Sequence, residues 1–146
     1  ALNNPAIYSI ITSKYYTATE EMVQMNIEVM FNVGDIGVDA YDFCVILGIL
    51  LDNAIEAAKE SDEKVVNVKF QRNKKNNKVV IIENSYKDKD IDISKIFEKG
   101  YSTKPESPDH GLGLWNVKRI LSHTSELELF TSRGKMFKQE IEMYDV

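Results

Sequence analysis

Cysteine is nearly absent: Cys44 is the only one among 146 residues. An internal disulfide and a multi-cysteine metal site are therefore both excluded. The residue lies in an apolar run, where a buried thiol behaves as a small hydrophobe. Long apolar runs are missing too. No stretch approaches the ~18 residues that a membrane-spanning helix needs, and no signal peptide is visible. Positive charge is in deficit, with 18 lysines and arginines against 23 acidic residues and a formal net charge of -5. That balance argues against a nucleic-acid partner, whose phosphates reward clustered basic surface. No internal repeat and no domain boundary is visible, so residues 1–146 read as one domain.

At 43% hydrophobic residues the chain can bury a core, which excludes a disordered segment. Asn4 to Glu21 reads as a helix, with Pro5 in its first turn and Ile7, Ile10, Ile11 and Tyr15 on one face. Val23, Met25, Ile27, Val29 and Phe31 alternate with polar residues, the pattern of a half-buried strand. Asn32 to Val38 is a connection. Asp39 can cap a second helix running to Lys59, with Asp42 in the first turn that favours acids. Val45, Ile46, Leu47, Ile49, Leu50, Leu51, Ala54 and Ile55 make that helix apolar almost all round, so it should be buried on most sides.

Strands follow at Lys64 to Phe70 and Lys78 to Glu83, joined as a hairpin through Arg72 to Asn77. Asp92 to Glu98 is expected to form a short helix, and Gly100 to Gly113 a mobile loop. Leu114, Val117, Ile120 and Leu121 mark a last helix. Leu127 to Thr131 and Met136 to Met143 close the chain as a hairpin around Arg133-Gly134. This order predicts an α+β fold, a two-layer sandwich with a largely antiparallel sheet and helices on one face.

Three blocks carry chemistry. In Leu47 to Ala58, Asn53 falls at the edge of the apolar face with Ile49 and Glu56 on the same flank. A carboxamide there needs partners, because burying it unbonded costs roughly 1–3 kcal/mol. Its oxygen is a hard ligand that suits magnesium, although a bond to nearby backbone would also satisfy it. In His110-Gly111-Leu112-Gly113-Leu114, a glycine-rich turn precedes a helix, whose unpaired N–H groups can meet an anion. An ordinary turn has the same look. In Phe97 to Lys104, Ser102, Thr103 and Lys104 could reach a terminal phosphate, or could simply be solvated.

Together and in this order, the blocks resemble the N box, F box and second glycine box of the GHKL superfamily, which includes gyrase B, MutL and histidine kinases. The residues that carry the likeness are Leu51-Asp52-Asn53-Ala54-Ile55-Glu56-Ala57, Ile96-Phe97 and Gly111-Leu112-Gly113-Leu114. With Ser102-Thr103-Lys104 and His110 they resemble the catalytic domain of sensor kinases of the peptide quorum-sensing and citrate types. The resemblance implies the Bergerat fold and binding of Mg2+ and ATP. Asn53 would coordinate the magnesium that bridges the phosphates, and Glu56 would line the same site. Gly111, Leu112 and Gly113 would hold the phosphates, with Ser102, Thr103 and Lys104 on the closing lid.

Two features depart from the superfamily. Its Asp-x-Gly-x-Gly box, whose aspartate binds the adenine amino group, is replaced by Ile82-Glu83-Asn84-Ser85-Tyr86. Asn84 or Glu83 would accept that hydrogen bond, Asn84 being preferred. The general-base glutamate found in the superfamily's ATPases is Ile49 here, which cannot take a proton from water. The site should therefore position ATP for a nucleophile other than water.

That nucleophile should be a histidine. His110 sits in the lid and His123 ends the last helix, so the resemblance places the acceptor on dimerising helices before Ala1. Trp115 and Tyr101 read as packing residues. The expected activity is γ-phosphoryl transfer from Mg-ATP to that histidine, within a homodimeric, membrane-anchored parent that signals to a response regulator, this domain facing the cytoplasm. A serine kinase of the anti-sigma type and a nucleotide-free interaction domain are the competing expectations.

Overall fold

In the structure, a computed structural model, residues 4–36, 40–98 and 113–144 are described. Helix α1 (Pro5–Glu20) opens on Asn4, whose side-chain oxygen accepts from the N–H groups of Ala6 and Ile7 at 3.0 and 3.2 Å. Pro5 at the first position loses no bond there, since that N–H has no partner within the helix. Strand β1 (Gln24–Val29) follows, then α2 (Ala40–Lys59), whose residues Phe43, Ile46, Leu47, Leu50, Leu51, Ala54, Ile55 and Ala58 are all buried. Next come β2 (Val65–Arg72), β3 (Lys78–Asn84), α3 (Gly113–Leu121), β4 (Leu127–Ser132) and β5 (Phe137–Met143).

The five strands form one mixed sheet in the order β1-β2-β3-β5-β4. Strands β1 and β2 are parallel and all other neighbours antiparallel. Parallel neighbours need a crossover, and α2 supplies it between β1 and β2. The register places Ile27, Val68, Ile82 and Gln139 in one row, and Val29, Phe70, Val80 and Ile141 in the next. The apolar members of these rows share one core with Ile7 and Ile11 of α1 and the buried side of α2.

The opposite side of the sheet is polar but still covers two apolar residues of β3. Val79 and Ile81 lie on it, 1% and 9% exposed. Lys69 and Glu140 flank Ile81 in the register, and the 3.0 Å Lys69–Glu83 ion pair lies alongside. Long side chains of this kind shield apolar surface with their stems while their charged ends stay in water.

The architecture is the expected α+β sandwich, with local differences. Asp92 to Glu98 is not a helix. Asp92 accepts from the backbone N–H and the hydroxyl of Ser94, and the bonds from Lys95 to Asp92 and from Glu98 to Lys95 close successive turns. Both backbone bonds span three residues where an α-helix spans four, so the segment stays a pair of tight turns. Strand β2 runs two residues past Phe70, and the last helix takes in Gly113 as its first residue. Asp39, the expected cap of α2, lies outside the described residues.

Candidate functional site

Ile49, Asn53 and Glu56 recur at helical spacing along one flank of α2, and all three are half-buried. The neighbouring Asp52 points elsewhere, forming a 2.7 Å ion pair with Lys14 of α1. One acid of the Leu51 to Ala57 block thus holds two helices together, while the amide beside it faces a different neighbour.

That neighbour is the start of α3. A Cβ placed on Gly113 would lie 3.1 Å from Ile49 Cγ2 and 3.9 Å from Asn53 Nδ2. The amide of the second helix and the residue that opens the third are therefore side by side. Val117, one turn on and fully buried, continues the same contact face into the core. The first turn of α3 carries backbone N–H groups without partners inside the helix, so an anion could bind there.

Asn84 ends β3 on the helix-facing side of the sheet, in line with Val80 and Ile82, and is 2% exposed. Its Nδ2 donates to the Ser85 carbonyl at 2.9 Å, which orients the carboxamide. Glu83 faces the other way and pairs with Lys69. Of the two side chains expected to read a base, only Asn84 lies on the side that holds α2 and α3. Beside it, the Tyr86 ring packs edge-on against Phe137 at 5.9 Å, and the Tyr86 hydroxyl bridges the carbonyl and N–H of Gly134.

Ser102, Thr103, Lys104, Gly111 and Leu112 lie outside the described residues, as do Tyr101 and His110. Trp115 is half-buried with the Arg119 guanidinium 5.5 Å from its ring, in keeping with a packing role. His123 is exposed just past the end of α3. Burial raises the Cys44 thiol above its ordinary value.

Sequence patterns did not reveal the contact between Ile49 and Gly113, because no local signal says which residue of one helix meets which of another. Nor did they reveal the hydroxyl pair of Ser61 and Ser85, which joins the end of α2 to the end of β3.

Comparison with known proteins bears on the family and the fold. Residues 38–144 match the GHKL domain family. The chain is 38% identical over 90 residues to the sensor histidine kinase DpiB of Escherichia coli (strain K12), a match that covers 56% of this chain and 15% of that protein. Among solved structures, the catalytic domain of histidine kinase ThkA superposes with a TM-score of 0.76 at 19% identity, over 99% of this chain and 93% of that one. Full-length ShkA in complex with AMPPNP matches with a TM-score of 0.69 at 15% identity, over 95% of this chain and 29% of that one. The fold is thus that of histidine kinase catalytic domains, and the chain belongs to the GHKL domain family.

Proposed function

We propose that this domain binds Mg-ATP over the edge where α2 meets the start of α3, and that the γ-phosphoryl group passes to a histidine on a dimerising segment of the same parent protein. The observation that carries this is the position of Asn53 Nδ2, 3.9 Å from where a side chain on Gly113 would begin. A carboxamide at that place brings a hard oxygen donor to the α3 terminus, where a cation bound with phosphate would need one. No group of three or more His, Cys, Asp or Glu side chains converges among the described residues. Magnesium held by one side-chain oxygen, substrate phosphates and water fits such a donor set.

Bound magnesium would neutralise phosphate charge, and Asn53 would orient it. Glu56, three residues on, lines the same flank. The first turn of α3 is suited to the phosphate oxygens, with Gly111, Leu112, Ser102, Thr103 and Lys104 completing the enclosure. Asn84 accepts from the adenine amino group through its carbonyl oxygen. In the transfer, the lone pair of an imidazole nitrogen forms the N–P bond as the β–γ bridging P–O bond breaks, and its electron pair leaves with ADP. Ile49, beside the phosphates, cannot deprotonate water, which favours transfer over hydrolysis. A response regulator would then take the phosphoryl group, in the cytoplasm, where ATP is supplied. No described helix is long and apolar enough to cross a membrane.

Calorimetric titration with a non-hydrolysable ATP analogue, with and without magnesium, tests the binding step. Magnesium-dependent binding is expected, and no binding in either condition would reject it. Mixing the domain with its dimerising segment and labelled ATP tests the transfer. An acid-labile phosphohistidine is expected, and acid-stable phosphoserine on a partner would reassign the acceptor.

A further inference from the structure

We infer that Ile49 is a positioning residue whose Cγ2 methyl seats the first turn of α3, and that Gly113 is a glycine because a side chain there would crowd that seat. This rests on the nucleotide reading above and goes further by assigning Ile49 a role of its own.

Glycine weakens a helix relative to alanine, so its place at the head of α3 needs a reason. Backbone freedom is not that reason, because Gly113 is helical and does not adopt a left-handed φ. Space is. A Cβ on Gly113 would sit 3.1 Å from Ile49 Cγ2, whereas an ordinary carbon–carbon contact is about 3.5–4.0 Å. The missing side chain would point at α2. Close approach of the two helices thus accounts for the glycine without appeal to a ligand.

Branching at Cβ makes the seat stiff. Isoleucine in a helix has one strongly preferred χ1, so Cγ2 is held where the backbone of α2 puts it. Ile49 and Asn53 stand one turn apart on the same flank. A first turn resting on the methyl therefore has its N–H groups at a set distance from the Asn53 carboxamide. Slack or crowding at position 49 would move the anion-binding turn relative to the magnesium ligand, and the cost would fall on magnesium-dependent binding.

A compensation experiment tests this, with Ile49→Val, Ile49→Ala, Gly113→Ala and the double variant Ile49→Ala/Gly113→Ala. Affinity for the ATP analogue with and without magnesium is read by calorimetry, and stability by denaturant unfolding. Crowding in Gly113→Ala should weaken magnesium-dependent binding about tenfold. Ile49→Ala should weaken it about threefold, whereas Ile49→Val, which keeps Cγ2, should stay within about twofold of the parent. In the double variant the loss of the Ile49 branch makes room for the Gly113→Ala methyl, and affinity should return to within about threefold of the parent. Single losses that multiply in the double variant, or a Gly113→Ala protein that binds like the parent, would overturn the seat. A parent protein that binds no nucleotide would instead sink the nucleotide reading and the positioning role with it. Unfolding would then still judge the contact: compensation in the double variant supports it and additive losses reject it.

Discussion

The hydroxyl oxygens of Ser61 and Ser85 lie 2.7 Å apart in the interior, joining the turn after α2 to the residue that follows Asn84. Ser61 Oγ also lies 2.7 Å from the carbonyl of Ala58 and accepts from the Lys64 N–H at 3.1 Å. Ser85 Oγ accepts from the Val65 N–H at 2.9 Å. With Ser61 only 3% exposed and Ser85 fully buried, these bonds fix the end of β3, and Asn84 with it, to the helix that carries Asn53.

Replacing Ser85 by alanine would leave the Val65 N–H without its side-chain acceptor, while Ser61 keeps Ala58 and Lys64. Such a group costs its full desolvation, so Ser85→Ala should lose about 1–3 kcal/mol of unfolding free energy. Urea unfolding of the two proteins measures this, and an unchanged midpoint would show that the pair contributes nothing net.

Asn53→Ala should remove the magnesium-dependent part of nucleotide binding, weakening affinity about tenfold or more in magnesium and hardly at all in a chelator. Calorimetry in the two buffers separates the cases. Equal weakening in both would take the magnesium role away from Asn53.

Asn84→Ala should behave in the opposite way. A lost base contact weakens binding by a similar factor, about tenfold, whether or not magnesium is present. Adenosine, which lacks phosphates, should compete with a labelled analogue on the parent and lose that ability on the variant. Competition that survives the substitution would mean the base is read elsewhere.

The last prediction concerns acid. Glu142 is 4% exposed and accepts from Asn77 Nδ2 at 2.7 Å and Asn73 Nδ2 at 2.8 Å, tying the β2–β3 turn to β5. The bond from Asn77, then that from Asn73, holds the carboxyl below its ordinary value. A carboxylate depressed in the folded state stabilises fully above its unfolded value of about 4.3, and that contribution is lost as pH falls through the lower folded value. Stability should therefore fall less steeply in Glu142→Gln than in the parent between about pH 4.3 and the acid limit. Parallel acid limbs in denaturant melts would show that Glu142 carries no linkage.

Much of the fold was legible before any coordinates. Strict alternation in Met25, Ile27 and Val29 announced a half-buried strand, the run from Lys64 to Phe70 announced another, and both are paired in the sheet. The near-continuous apolar surface of residues 43–58 announced a buried helix, and α2 packs between α1, α3 and the sheet. The segment at Asp92 misled because seven residues are too few for a period to be read, and its backbone closes three-residue turns where a helix needs four. Site residues were visible as types, an amide and a glycine before helices, and the family resemblance put Asn53 and Gly113 at one site, but the contact of Ile49 with Gly113 was not legible.

Sequence alone determined the element types, the amphipathic faces and the presence of an amide on the flank of a buried helix, because each depends on periodicity within a short stretch. Tertiary structure decided that β5 lies between β3 and β4, that Asn84 and not Glu83 faces the helices, and that Asp52 binds Lys14 while Asn53 adjoins Gly113. The physical reason is that register and helix seating are settled by steric fit between segments distant in the chain. There, a single methyl group such as Ile49 Cγ2 sets how closely two backbones approach.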